Sequence, residues 1–273
     1  MKNNNKTIGM MDSGIGGLTV LKAAAQQMPN ESIAYVGDTA RMPYGPRNPA
    51  EVAKFTRQIA DYLIQEHDIK ALAIACNTAT ACALPGLQAE LPIPVIGVID
   101  SGVQSAVKTS QSKKIGVIAT QGTVDSGQYQ AEIKAAVPDS QVFAQAEPDF
   151  VQLVEQNRYQ DDDVPALMAD HLAAFKEEGI DTLVLGCTHF PLLAPAIQEA
   201  LGPDVTLVDP GIATAEQLAK ILQDQGLDAD DNHEANYNLS TTGSVETFSE
   251  IASQWLGQEH DWHFNHLDLP SQD

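Results

Sequence analysis

The chain has 273 residues, 43% of them hydrophobic and 5% aromatic, enough apolar material for one large domain or two modest ones. A formal net charge of −22 argues against nucleic-acid and anionic-membrane partners, and the acidic stretches 161–163 and 228–231 read as solvated loops. No apolar run reaches the roughly 20 residues that span a bilayer, no signal-peptide pattern opens the chain, and three cysteines without framework spacing suggest free thiols in a cytoplasmic protein.

Short β-branched, apolar runs predict strands at Thr7–Met11, Ser32–Val36, Ala71–Ala75, Val95–Val98, Lys114–Ile118, Thr182–Leu185 and Val205–Val208. Stretches of 3.6-residue periodicity lie between them, among them Ala50–Glu66 and Ala166–Glu178. This alternation predicts an α/β fold with parallel sheets. The remainder after Asp209 holds a further strand pattern at Tyr237–Thr241 and a helix pattern at Val245–Leu256, expected to pack back on the first part of the chain.

Two pieces of the sequence repeat in order. The strand and glycine turn Ile8–Gly14 is echoed 107 residues later at Ile115–Gly122, and Ala71–Thr78, with Cys76, is echoed 111 residues later at Thr182–His189, with Cys187. The expectation is two similar Rossmann-like parallel-sheet domains related by pseudo-twofold symmetry, with the active site in the cleft between them. Residues 1–98 and 210–273 would form one domain and 99–209 the other. Open parallel sheets bind ligands beyond the carboxyl ends of their strands.

Cys76 and Cys187 each end an apolar run and precede small polar residues, which places each thiol at a strand end beside a helix N-terminus, a position that lowers a thiol pKa. Facing each other across a ligand, one thiolate could remove a proton while the opposite thiol delivers one, inverting a carbon centre. Ser13, Asn77, Thr78, Thr120 and Thr188, with backbone amides, could hold carboxylates; helix capping is the simpler role for Ser13 and Thr78. Asp12 and His189 flank the two turns and could assist proton transfer.

Other motifs lead elsewhere. Gly14-x-Gly16-Gly17 lacks the rest of a dinucleotide or phosphate fingerprint and reads as a turn for close backbone approach. Cys82 is read as helix packing, and His260, His263 and His266 as a surface tail rather than a zinc site. Arg41 and Arg47 flank the Tyr44-Gly45 turn, either anchoring the loop or closing the cleft.

The segments Asp12-Ser13-Gly14-Ile15-Gly16-Gly17-Leu18, Gly37-Asp38 with Pro43-Tyr44-Gly45, Ala75-Cys76-Asn77-Thr78-Ala79 and Leu185-Gly186-Cys187-Thr188-His189-Phe190-Pro191-Leu192 together resemble the glutamate racemase family, over nearly the whole chain. The resemblance implies Cys76 as the base toward D-glutamate and Cys187 toward L-glutamate, with neither pyridoxal phosphate nor metal. It implies that Asp12 assists Cys76 while Glu155 and His189 assist Cys187. Substrate contacts carried over are Asp12, Ser13, Tyr44, Gly45, Asn77, Thr78, Thr188 and His189, with Thr120 added. It further implies a homodimer supplying D-glutamate for bacterial peptidoglycan. The few residues before the first strand argue against regulation through an N-terminal extension.

Three other readings remain open at this stage. One is a racemase for aspartate or a single-cysteine decarboxylase of the same superfamily. The second is a thiol hydrolase or amidotransferase using Cys187 and His189, which would leave Cys76 unexplained. The third is a two-domain protein that closes on a small acid without turning it over.

Overall fold

Runs such as Ile8–Asp12 and Thr182–Gly186 carry apolar residues at almost every position because helices cover both faces of a parallel sheet. Every residue of these two strands is buried in the computed structural model, which describes residues 4–269. The first unit runs β1 (Ile8–Asp12), α1 (Leu18–Gln27), β2 (Ile33–Gly37), α2 (Pro49–His67), β3 (Ala71–Ile74), α3 (Asn77–Glu90) and β4 (Val95–Gly97), and α4 (Val98–Thr109) leads out of it. The second runs β5 (Lys114–Ala119), α5 (Gln121–Ser126), α6 (Gln128–Ala136), β6 (Gln141–Ala146), α7 (Pro148–Glu155), α8 (Val164–His171), α9 (Ala173–Glu178), β7 (Thr182–Gly186), α10 (Ala194–Leu201) and β8 (Thr206–Val208), and α11 (Pro210–Gln225) leads out of it. The chain then adds β9 (Tyr237–Thr241), α12 (Val245–Leu256) and β10 (Trp262–His266).

The six-stranded sheet has the order β10-β9-β2-β1-β3-β4 and the four-stranded sheet β6-β5-β7-β8, with parallel pairing throughout. The order β2-β1-β3-β4 is therefore repeated as β6-β5-β7-β8. The register repeats too: Ile8 pairs with Ala71 in one sheet and Ile115 with Thr182 in the other. Both cysteines thus lie two residues beyond an equivalent rung, Met11–Ile74 for Cys76 and Ile118–Leu185 for Cys187. The strands after residue 210 join the first sheet through β9 on β2.

Helix ends follow capping rules. Asn48 accepts from the Ala50 N–H before Pro49, Asp209 accepts from Gly211 before Pro210, and Ser244 accepts from Thr247. The connecting helices α4 and α11 pack together, and Gln217 of α11 holds Ser101 and Asp100 of α4. That contact packs the two linking helices against each other.

Two expectations need correction, and one strand was not foreseen. The helix expected over Ala166–Glu178 is two helices that part at Leu172, a residue with non-helical backbone (φ −96°, ψ 4°). The segment around His263 and His266 is the edge strand β10, not a tail; its parallel pairing with β9 separates those histidines onto opposite faces. His260 packs its ring against Tyr237 and Trp262. Strand β6 had no counterpart in the sequence reading. Its side chains are at most half-buried at the edge of the second sheet, so Gln141 and Gln145 interrupt the apolar signal.

Candidate active site

The turns after β1, β3, β5 and β7 converge on one cleft. It is lined by Ser13, Gly14, Met42–Gly45, Cys76–Thr78, Thr120, Val151, Glu155 and Cys187–His189. Every residue carried over as catalytic or substrate-binding is on this wall except Asp12, which is fully buried beside Cys76. The glycines after β1 are required by proximity. A Cβ on Gly16 would lie 2.2 Å from Thr188 Oγ1 and 2.7 Å from His189 Nδ1, and one on Gly17 would lie 2.5 Å from Asp12 Cβ. The first turn therefore presses directly on the second cysteine loop.

Hydrogen bonds join the two units across the cleft. Thr78 and Thr120 pair through their hydroxyls at 2.9 Å, Thr19 donates to the Thr188 carbonyl at 3.2 Å, and the Gly122 N–H donates to Gly45 O at 3.1 Å. The Tyr44 loop is pinned by Asp38, which accepts from the Tyr44 hydroxyl, from Arg41 Nε and, at 2.8 Å, from Thr242. Arg41 spreads its guanidinium 4.1 Å over Phe55, and Arg47 donates to the Arg41 carbonyl, so both arginines anchor the loop. With its proton committed to Asp38, the Tyr44 hydroxyl can meet a ligand only as an acceptor.

The two cysteines have related surroundings but unequal partners. Cys76 is the N-cap of α3 and accepts from Ala79 N–H at 3.4 Å, with Ser13 Oγ 3.5 Å away. Behind it, Asp12 Oδ2 accepts from Gly14 N–H at 2.9 Å, while Asp12 Oδ1 is buried without a hydrogen bond. Cys187 Sγ lies 3.6 Å from His189 Nδ1, and His189 Nε2, also buried without a hydrogen bond, lies 3.6 Å from Glu155 Oε1. The repeat aligns Asp12 with Ala119 and His189 with Thr78, so the pseudo-symmetry pairs the thiols but not their assistants. One side carries a carboxylate and the other an imidazole backed by a carboxylate.

Electrostatics overturn one sequence expectation. The helix N-terminus is present at Cys76, yet burial, followed by the charge of Asp12, pushes its thiol up to about 12. Cys187 is pushed up as well, by burial and then by Cys76, Asp12 and Glu155, and a single 3-10 turn, Phe190–Leu193, follows it in place of an α-helix. Two buried thiols near two carboxylates pay more in desolvation and repulsion than one helix end returns. Burial also raises Asp12 to about 6 against the opposing N–H groups of Gly17, Gly14 and Ser13. It raises Glu155 too, and lowers His189 to about 4. At neutral pH Asp12 is a carboxylate and His189 a neutral imidazole, so each thiol has a proton acceptor beside it.

The sequence reading missed three groups at this site. Tyr129 donates to Asn77 Oδ1 at 2.7 Å, Thr123 closes a hydroxyl triangle with Thr78 and Thr120, and Tyr35 donates to Gly14 O at 3.0 Å. Cys82 packs beside the α2–α3 core, as expected. Among the described residues no group of three or more His, Cys, Asp or Glu is placed to hold a metal, and no helix is long and apolar enough to cross a membrane.

The sequence profile of the Asp/Glu/Hydantoin racemase family matches residues 8–218. A glutamate racemase of Levilactobacillus brevis is 54% identical over 255 residues, covering 93% of this chain and 92% of that protein. The structure of a glutamate racemase isoform from Bacillus anthracis aligns with a TM-score of 0.93 at 42% identity, covering 98% of this chain and 100% of that one. The glutamate racemase of Francisella tularensis subsp. tularensis SCHU S4, solved with D-glutamate, aligns with a TM-score of 0.89 at 34% identity over 97% and 98% of the two chains. With two parallel sheets in a repeated order, a cysteine at the same register in each, and this match over most of its length, the chain belongs to the Asp/Glu/Hydantoin racemase family.

Proposed function

We propose that the protein interconverts L- and D-glutamate without a cofactor, using Cys76 and Cys187 as the acid–base pair. The observation that carries this reading is the placement of the two thiols on one cleft, each beside its own proton acceptor. The glutamate racemases above, aligned over nearly the full chain, support glutamate as the substrate.

The polar wall of Ser13, Asn77, Thr78, Thr120 and Thr188, with the backbone N–H groups at the start of α3 and α5, holds the carboxylates. The ammonium group of the substrate offsets the negative charge that Asp12 adds, which eases ionisation of a thiol otherwise held protonated. With D-glutamate, the Cys76 thiolate takes the α-proton while the Cys187 thiol delivers its proton to the opposite face. Cys76 ends protonated and Cys187 ionised, and the roles exchange in the reverse direction. Asp12 serves Cys76; His189, supported by Glu155, serves Cys187.

In this reading the domains are residues 1–98 with 210–273, and 99–209; residues 1–3 and 270–273 lie outside the described residues. The protein works in the bacterial cytoplasm as a homodimer and supplies D-glutamate for peptidoglycan. Circular dichroism of purified protein with each enantiomer of glutamate and of aspartate tests the substrate. Turnover of glutamate, lost in both Cys76→Ser and Cys187→Ser with the fold intact, is expected. Turnover of aspartate alone moves the assignment, and racemisation surviving either substitution removes that cysteine from the mechanism.

A further inference from the structure

Tyr129 stands at the first turn of α6, in the second unit, yet its hydroxyl reaches Asn77 of the first, 52 positions away in sequence and adjacent to Cys76. The side chain is 1% exposed. Two glycines make room for it. A Cβ on Gly102 of α4 would lie 3.2 Å from the hydroxyl, and one on Gly186, the residue before Cys187, would lie 3.3 Å from ring atom Cε2. One ring thus touches the residue after one cysteine and the residue before the other.

We infer that Tyr129 is a positioning residue that anchors the Asn77 amide at the edge of the cleft, with its Nδ2 end toward the ligand. An asparagine amide presents an acceptor at one end and two donors at the other, and its two orientations are nearly the same shape. Tyr129 occupies Oδ1 at 2.7 Å, and no protein group among the described residues takes the hydrogens of Nδ2. Asn77 lines the cleft, so the Nδ2 end is left to donate to an anionic ligand. Burial, reinforced by the charges of Glu132, Asp209 and Cys187, raises the phenol far above its ordinary range, so the hydroxyl stays protonated at every working pH. Without that anchor the amide is free to rotate, and a carbonyl turned toward the ligand carboxylate replaces an attraction with a repulsion.

This inference rests on the reading of the cleft as a glutamate site, and the test separates the two. Racemisation by the unmodified protein is recorded first, and no turnover of glutamate counts against that reading. Binding of D-glutamate by calorimetry then tests Tyr129. Tyr129→Phe keeps the ring and removes the hydroxyl. It is expected to weaken binding about tenfold and to raise KM more than it lowers kcat. In an Asn77→Ala background the same substitution should add no further loss, because Tyr129 acts through Asn77. Unchanged binding in Tyr129→Phe, or equal losses in both backgrounds, overturns the inference. Asn77→Asp provides the test if Tyr129→Phe does not fold. It keeps an acceptor for Tyr129 and puts an anionic oxygen where N–H₂ stood, so it should bind D-glutamate more weakly than Asn77→Ala. Binding equal to or tighter than Asn77→Ala overturns the inference.

Discussion

Replacing Asp12 with Asn should make the protein more stable at neutral pH while disabling the Cys76 side of the site. The Asp12 carboxyl is fully buried, and burial raises it from 3.8 to about 6. The folded state therefore holds this proton to higher pH than the unfolded state does. The resulting stability is fully present below 3.8 and is lost as pH rises through about 6. A rise of this size, at about 1.4 kcal/mol per unit, amounts to about 3 kcal/mol. Asparagine keeps an oxygen for the Gly14 N–H and carries no charge, so the variant escapes this cost. Urea unfolding of both proteins across the acid range measures it. The stability of Asp12→Asn relative to the parent should grow by about 3 kcal/mol between pH of about 4 and about 7 and then stay level. A difference that does not change with pH would refute the reasoning, because Asp12 would then titrate alike in both states.

The same carboxyl should appear in kinetics: kcat/KM should fall on the acid side with a midpoint near 6, and Asp12→Asn should remove that limb from the residual activity. His189, lowered to about 4, should add no second limb above it. Gly16→Ala should fold yet lose about a hundredfold in kcat/KM, because its Cβ would drive Thr188 and His189 away from the cleft; near-native activity would show that the two turns are not rigidly apposed. Cys82→Ser should leave turnover unchanged, since Cys82 packs against the α2–α3 core outside the cleft; a loss in a folded variant would place that thiol in the chemistry.

The central strands were legible because a strand covered on both faces is apolar at every position, as in Ile8–Asp12 and Thr182–Gly186. Edge strands were harder to read. β6 interleaves glutamines, and β10 carries histidines toward solvent, so neither gives a continuous apolar run. The break at Leu172 was hidden because one residue leaving the helical backbone carries no glycine or proline to mark it. The cleft was legible wherever chemistry sits in a turn directly after a strand, as at Ser13, Cys76, Thr120 and Cys187. Tyr129 was not, since its role depends on a contact between distant segments that no local pattern announces. The thiol pKa direction was misread because a helix end is visible in sequence, whereas the burial of Cys76 and its approach to Asp12 are not.

Incubating the protein with D-glutamate in deuterated water, without added cofactor, tests the two-thiol account most directly. The account predicts inversion to L-glutamate with deuterium at the α-carbon, because the proton removed on one face and the one delivered on the other belong to different thiols. Inversion that keeps the original α-hydrogen would contradict it, as would a folded protein that binds D-glutamate and never inverts it.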